Sequence, residues 1–124
     1  MTAPSLDVTR ADAETVVIAV AGAVALAEAR GIEAALLAQV RQGCRLAVID
    51  LRGVTSIGAG LLGALLRIRR GLSRIDGDLA LVVDGPPASE LVGTTMLAAL
   101  MPVAASRRDA LAALARPPAA VAVG

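Results

Sequence analysis

The sequence predicts a single α/β domain with a mixed, mostly parallel sheet of about four to five strands and with about four helices. The chain has 124 residues, the length of one ordinary domain. Short apolar runs typical of strands alternate with helical patterns, at the spacing of β–α–β units. The longest apolar run, residues 16–27, is about 12 residues long, whereas a membrane-spanning helix needs about 20.

The first half of the chain contains three strand patterns and one helical pattern. The predicted elements are a strand at Ser5–Arg10, a strand at Thr15–Ala21 ended by Gly22, a helix at Glu28–Gln42 ended by Gly43, and a strand at Leu46–Leu51. The second strand is predicted from its β-branched residues, and the helix is predicted from an apolar stripe with acidic residues in its first turn. The third strand is continuously apolar, which favours a central position in the sheet.

The second half continues the alternation. After a turn-like segment at Arg52–Gly58, we predict a helix at Ala59–Ser73, a turn at Asp76–Asp78, a strand at Leu79–Val83, a short helix at Pro87–Val92, a short strand at Val103–Ala105 and a closing helix at Arg107–Ala115 with Ser106 as its N-cap. The core stripe of the first of these helices is Leu61, Leu65, Ile68 and Leu72.

Two further features of that helix bear on function. Leu62 and Leu66 widen its apolar arc, and we expect most of this extension to belong to the core, with any exposed remainder forming a contact patch. Its arginines are Arg67, Arg69, Arg70 and Arg74. We interpret them as a solvated helix face, placed where the helix dipole favours positive charge, rather than as an anion-binding cluster.

The composition excludes most catalytic chemistry. With 0 His and 1 Cys, the chain cannot supply a histidine metal site, a Ser–His or Cys–His nucleophile pair, a zinc cluster or a disulfide. Asp50, at a strand end, is expected to order the following turn, and Cys44 to be a small residue in a helix-to-strand turn. We therefore predict no catalytic residues, no metal site, no cofactor and no enzyme activity.

Charge and aromatic content argue against several classes of partner. Aromatic residues make up 0% of the chain and the net charge is +1, so neither stacking nor electrostatic attraction favours nucleic acid. Asp7, Asp12 and Glu14 precede the first long apolar run, which does not fit a signal peptide. We expect a cytoplasmic protein with no direct membrane insertion, a domain over residues 5–115, and disordered termini at 1–4 and 116–124.

One block of the chain resembles the core of STAS domains, the family of bacterial anti-sigma factor antagonists. It runs Val48-Ile49-Asp50-Leu51-Arg52-Gly53-Val54-Thr55-Ser56-Ile57-Gly58-Ala59-Gly60-Leu61-Leu62 and continues to Leu66. In that family a strand ending in Asp-Leu is followed by turn residues and by an Asp-Ser-x-Gly-Leu segment that opens the second helix. The resemblance extends over roughly residues 5–115, through Val20–Ala25, Glu90–Leu97 and Arg107–Leu114.

The sequence differs from the family pattern at the positions that, in the family, carry the phosphorylatable serine and the aspartate before it. Gly58 and Ala59 stand at the positions of the family Asp and the phosphorylatable Ser, and Ala59 has no hydroxyl to phosphorylate. Ala23 and Ala25 stand where the family's Gly-Glu-Leu-Asp turn is acidic. The resemblance therefore implies no phosphosite at the family position. Ser56 and Thr55 are the nearest substitutes, although such hydroxyls are more often turn formers.

The resemblance implies a non-catalytic interaction module that binds a kinase-type anti-sigma factor without phosphorylation control. It places the partner-binding surface at Gly22, Ala23, Val24, Ala25, Ser56, Ile57, Gly58, Ala59, Gly60, Leu61 and Leu62. Two alternatives stay open: a STAS subunit or regulator of an ABC-type transport complex, and a small-ligand or nucleotide sensor that uses the amides of Gly58–Gly60. A homodimer is compatible with each.

Overall fold

The computed structural model describes residues 4–115 and contains one five-stranded sheet and five helices. The elements are β1 (Ser5–Arg10), β2 (Thr15–Val24), α1 (Leu26–Val40), β3 (Leu46–Ile57), α2 (Leu61–Ser73), β4 (Asp78–Val82), α3 (Ala88–Thr94), α4 (Leu97–Leu100), β5 (Val103–Ala104) and α5 (Arg107–Ala115). The strand order follows the chain, with β1 antiparallel to β2 and every other pair parallel. The predicted fold class is confirmed. Of the termini predicted to be disordered, all residues but Pro4 lie outside the described part.

Helices cover the two faces of the sheet unequally. Because successive strand side chains point to opposite faces, neighbouring residues of β3 belong to different cores. Ile49 packs in the larger cluster with Ile32 of α1 and Leu65 of α2, whereas Val48 packs in a smaller cluster with Ala110 of α5. The sheet is therefore sandwiched between the α1–α2 pair and α5. No helix in the described range is long and apolar enough to span a bilayer.

The core stripe predicted for α2 is confirmed. Leu61, Leu65, Ile68 and Leu72 are all buried. Leu62 and Leu66 are half-buried and pack against the same cluster, as expected of an extension that mostly belongs to the core. The predicted start at Ala59 is wrong, because Gly60 has φ +107° and ψ −29°, which is not a helical conformation. Gly60 is the N-cap, and α2 begins at Leu61.

The prediction of a turn at Arg52–Gly58 is also wrong. Its glycines and hydroxyl residues are typical of turns, but the chain stays extended to Ile57 because four of its residues, Gly53, Val54, Ser56 and Ile57, pair with residues of β2. Ala21 pairs with Gly53, and Val24 with Ile57. Gly22 does not end β2 as predicted. It adopts φ +84° beside a shift in register, which lets the strand continue to Val24.

The other differences are small. α1 spans Leu26–Val40 rather than residues 28–42, β4 and β5 are within one residue of their predicted bounds, and α3 runs to Thr94. The four-residue α4 was not predicted, since one helical turn leaves no periodic pattern to detect. The predicted N-cap of α5 is confirmed, as the Ser106 hydroxyl accepts a hydrogen bond from the Asp109 amide at 3.1 Å.

Candidate functional site

The two segments that the resemblance marks as partner-binding lie side by side in the fold. Because β2 and β3 are parallel, their carboxyl ends meet at one edge of the sheet, where Ala23 pairs with Ser56 and Val24 with Ile57. One residue beyond β3, the Gly58 amide donates a hydrogen bond to the Val24 carbonyl oxygen at 2.8 Å. Residues far apart in sequence therefore form one continuous surface.

The start of α2 packs closely against the start of α1. A Cβ atom at Gly60 would lie 2.8 Å from Cδ1 of Leu26 and 3.5 Å from Cβ of Ala29, so only glycine fits without a shift of Leu26. The Ala25 amide, at the N-cap of α1, donates to the Glu28 carboxylate at 3.0 Å. These contacts fix the two helix starts relative to the strand ends.

We name the resulting surface the β2–β3 rim and define it by its accessible residues. It comprises the exposed residues Ala23, Ala25, Leu26, Thr55, Ser56, Gly58 and Ala59 and the half-buried residues Ile57, Gly60 and Leu62. None of these side chains carries a charge. The rim therefore presents methyl groups, backbone and two hydroxyls to solvent.

Burial corrects part of the predicted surface and extends it. Val24 is 1% exposed and Leu61 0% exposed, so both side chains belong to the core and cannot touch a partner. Gly22 is buried as well. Leu26, which the sequence analysis missed, is 46% exposed. Its position at the end of an apolar run, directly after a strand pattern, was the signal that could have found it.

The rim has few backbone or side-chain groups that could bind an anion or a metal ion. The Gly58 amide already donates to Val24, so it is not free for a phosphate, and this removes one of the amides on which the ligand-sensor alternative depends. Within residues 4–115, no group of three or more Cys, Asp or Glu side chains could hold a metal ion. The geometry suits contact with another macromolecular surface.

Below the rim, Asp50 joins the middle of β3 to the start of α5. The carboxylate is 4% exposed and accepts hydrogen bonds from the Arg52 amide at 3.1 Å, Arg52 Nη2 at 2.8 Å and Arg107 Nε at 2.8 Å. Burial alone would raise its pKa, but the hydrogen bonds from Arg52 and Arg107 outweigh that effect and lower the pKa to about 2. The prediction that Asp50 stands at a strand end and orders a following turn is wrong, because Asp50 lies within β3 and its bond to the Arg52 amide forms inside the same strand. Its bond to α5 was not foreseen.

Comparison with known proteins identifies the family. The family model described as "Mlab, STAS domain" matches residues 8–104. The chain belongs to the STAS domain family. This STAS domain is 35% identical over 92 residues to BtrV of Bordetella bronchiseptica, a protein assigned as an anti-sigma factor antagonist; the match covers 74% of this chain and 79% of BtrV.

Solved structures agree with that assignment. An anti-sigma factor antagonist from Mycobacterium paratuberculosis superposes on this STAS domain with a TM-score of 0.81 and 25% identity, covering 92% of this chain and 96% of the other. The antagonist SpoIIAA in its unphosphorylated form gives a TM-score of 0.75 at 18% identity, with 86% and 93% covered, which shows the shared fold alone. The domain thus has an anti-sigma factor antagonist-like STAS fold.

Proposed function

We propose that this STAS domain is an anti-sigma factor antagonist that binds a kinase-type anti-sigma factor through the β2–β3 rim, and that phosphorylation at the family position does not control this binding. The observation that carries the proposal is the rim itself. Two segments distant in sequence are joined into one uncharged, accessible surface at the place where the resemblance puts the docking surface.

The proposed mode of binding follows from the chemistry of the rim. Leu26 and half-buried Leu62 flank a floor of alanine and glycine, so a partner can approach the backbone closely and bury apolar surface, at about 25 cal/mol per Å². The exposed hydroxyls of Thr55 and Ser56 form no hydrogen bond with the described part of the chain and can donate to a partner. Charge pairing contributes little, because the rim has no charged side chain of its own.

Ala59 is the reason to propose that phosphorylation at the family position does not control binding. Its exposed methyl group lies one residue before the N-cap of α2. A phosphoserine there would add about −1.5 to −2 charges to a surface that otherwise has none, which would repel a partner by desolvation and like charge. Without a hydroxyl at position 59, phosphorylation at the family position cannot change the charge of the rim.

Reconstitution with purified proteins tests the proposal. We expect the domain to form a complex, in size-exclusion chromatography, with a kinase-type anti-sigma factor from the same genome and to release the sigma factor that this partner holds. No complex with any such anti-sigma factor of the host would refute the proposal. Selective capture of a transport ATPase from host lysate would instead favour the alternative of a transport-complex subunit.

A further inference from the structure

A second accessible feature lies further along α2, between that helix and α4. It is an open depression of about 480 Å³, within the size range of ligand sites, and its charged side is formed by Arg69, Arg70 and Arg74 with the hydroxyl residue Ser73 between them. Among residues 4–115, no carboxylate lines it. The depression is thus a concave surface of one charge sign.

The positive charge of this depression is not balanced within the described chain. Arg67, on the same helix, reaches across to α1 and binds Glu33 at 2.6 Å. Arg70 and Arg74 have no carboxylate within 4.0 Å in residues 4–115, and their spacing of four residues makes them repel each other on one helix face. Arg67 thus has a carboxylate partner, whereas the charges of Arg70 and Arg74 have none within the described residues.

One of the three guanidinium groups is held in place. Arg69 Nε donates to the Leu100 carbonyl oxygen of α4 at 2.6 Å, and no other group of the described chain bonds this guanidinium. Its Nη1 and Nη2 groups can therefore bind a ligand from a fixed position. Because the side chain is already ordered, binding costs it less conformational entropy than it would cost a mobile arginine.

The rest of the depression is apolar. Met96 is 62% exposed, the largest exposure among the large hydrophobic side chains of the described residues, and half-buried Leu66 and Leu100 adjoin it. A flexible methionine adapts to different apolar partners. The surface thus combines guanidinium groups with an apolar floor, and it matches a ligand that carries acidic and apolar groups side by side.

We infer that this depression binds an acidic peptide segment of a partner protein, with carboxylates on Arg69, Arg70 and Arg74 and an apolar side chain on Met96 and Leu100. This inference replaces the sequence-based interpretation of these arginines as a solvated helix face, because Arg69 is half-buried and all three line one depression. A peptide fits better than a membrane, because a flat headgroup layer cannot enter a depression to reach half-buried Arg69. A peptide also fits better than inorganic phosphate, which has nothing to place on the apolar floor.

Fluorescence anisotropy with the full chain tests this inference independently of the proposed function. The probe is a fluorescein-labelled peptide of alternating glutamate and leucine at low ionic strength, and a glutamine–leucine peptide is the uncharged reference. The double variant R70Q/R74Q removes two of the three positive charges that line the depression. The control R30Q/R41Q removes two exposed arginines of α1 and its flank that form no ion pair in the described chain, and it changes the net charge equally. The variant M96Q tests the contribution of the apolar part of the depression without altering the net charge.

We expect the parent chain to bind the glutamate peptide and not the glutamine peptide. R70Q/R74Q should weaken binding about tenfold, M96Q should weaken it measurably, and R30Q/R41Q should change it by less than about twofold. Equal weakening by both double variants would overturn the inference, because the attraction would then be unspecific. Absence of peptide binding, with R70Q/R74Q-sensitive binding to phosphatidylserine vesicles, would overturn it in favour of a membrane surface.

Discussion

The backbone amide of Gly58 donates a hydrogen bond to the carbonyl oxygen of Val24, across 2.8 Å. This bond continues the β2–β3 ladder one residue beyond the end of β3 and brings the chain before α2 against the chain before α1. Because of it, the position of Ala59 is set by the sheet and not by a free loop. The β2–β3 rim is therefore a preformed surface, which reduces the entropy that a partner must overcome on binding.

The first prediction concerns phosphorylation. Incubation of the domain with a kinase-type anti-sigma factor and ATP should leave its intact mass unchanged, because Ala59 has no hydroxyl. Mass spectrometry of the intact chain checks this. A stoichiometric gain of about 80 Da, the mass of one phosphoryl group, located at Ser56 or Thr55 would contradict the prediction and show that the switch has moved along β3.

The second prediction contrasts two glycines of the α2 region. Gly60→Ala should lower the free energy of unfolding by about 1–2 kcal/mol, because φ +107° disfavours an L-residue and the new methyl group would meet Leu26. Gly71→Ala should raise it by about 0.5–1 kcal/mol, since Gly71 is helical and has open space around it. Urea unfolding of both variants checks the pair, and equal midpoints would show that Gly60 is not constrained.

The third prediction concerns the core stripe of α2. Leu65 is 0% exposed, so Leu65→Ala should lower the free energy of unfolding by about 2–5 kcal/mol through lost burial and a cavity. Leu37→Ala, on the exposed face of α1, is the matched control and should change stability by less than about 0.5 kcal/mol. Similar denaturant midpoints for the two variants would mean that the register of α2 is wrong.

The fourth prediction concerns the carboxylate of Asp50. Its pKa of about 2 lies below the ordinary value of 3.8, so the folded state favours the charged form and gains about 2 kcal/mol at neutral pH. That gain is present above about pH 4 and is lost as the pH falls towards about 2. Asp50→Asn lacks it, so the stability difference between parent and variant should shrink over this range.

Unfolding by urea at neutral and acidic pH measures that difference. Glu90→Gln, which changes an exposed carboxylate of α3 outside the described ion pairs, is the control and should follow the parent at each pH. A stability difference for Asp50→Asn that is independent of pH would show that the ion pairs with Arg52 and Arg107 do not form.

The fold could be predicted from the sequence wherever hydrophobic periodicity is strong. The stripe of α2 and the apolar run of β3 up to Leu51 both appear as predicted, because burial of one face determines them. The second half of β3 could not be found in this way. Gly53 and Ser56 are typical of turns, and only their pairing with Ala21 and Ala23 on another strand keeps the chain extended.

The sequence indicated the two segments that form the β2–β3 rim, but not which of their side chains are accessible. The resemblance marked two segments, and the parallel pairing of β2 with β3 brings them together. Which side chains face out depends on the twist and register of the strands, and a register shift beside Gly22 intervenes. For this reason Val24 was expected at the surface and is buried. Leu61 was assigned both to the core stripe of α2 and to the docking surface, and it is buried as the stripe requires, whereas exposed Leu26 was missed.

Isothermal titration of the parent chain, Ala59→Glu and Ala112→Glu against the anti-sigma factor tests the role of the rim most directly. A carboxylate at position 59 is tolerated by the fold, because it lies near the N-terminus of α2, but an apolar partner face would bury it unpaired. Ala112 is exposed on α5, against the opposite face of the sheet, and controls for added charge. We predict that Ala59→Glu weakens binding at least about tenfold, a cost of about 1.4 kcal/mol, while Ala112→Glu binds like the parent. Equal affinities for Ala59→Glu and the parent would contradict the account and exclude the β2–β3 rim as the docking surface.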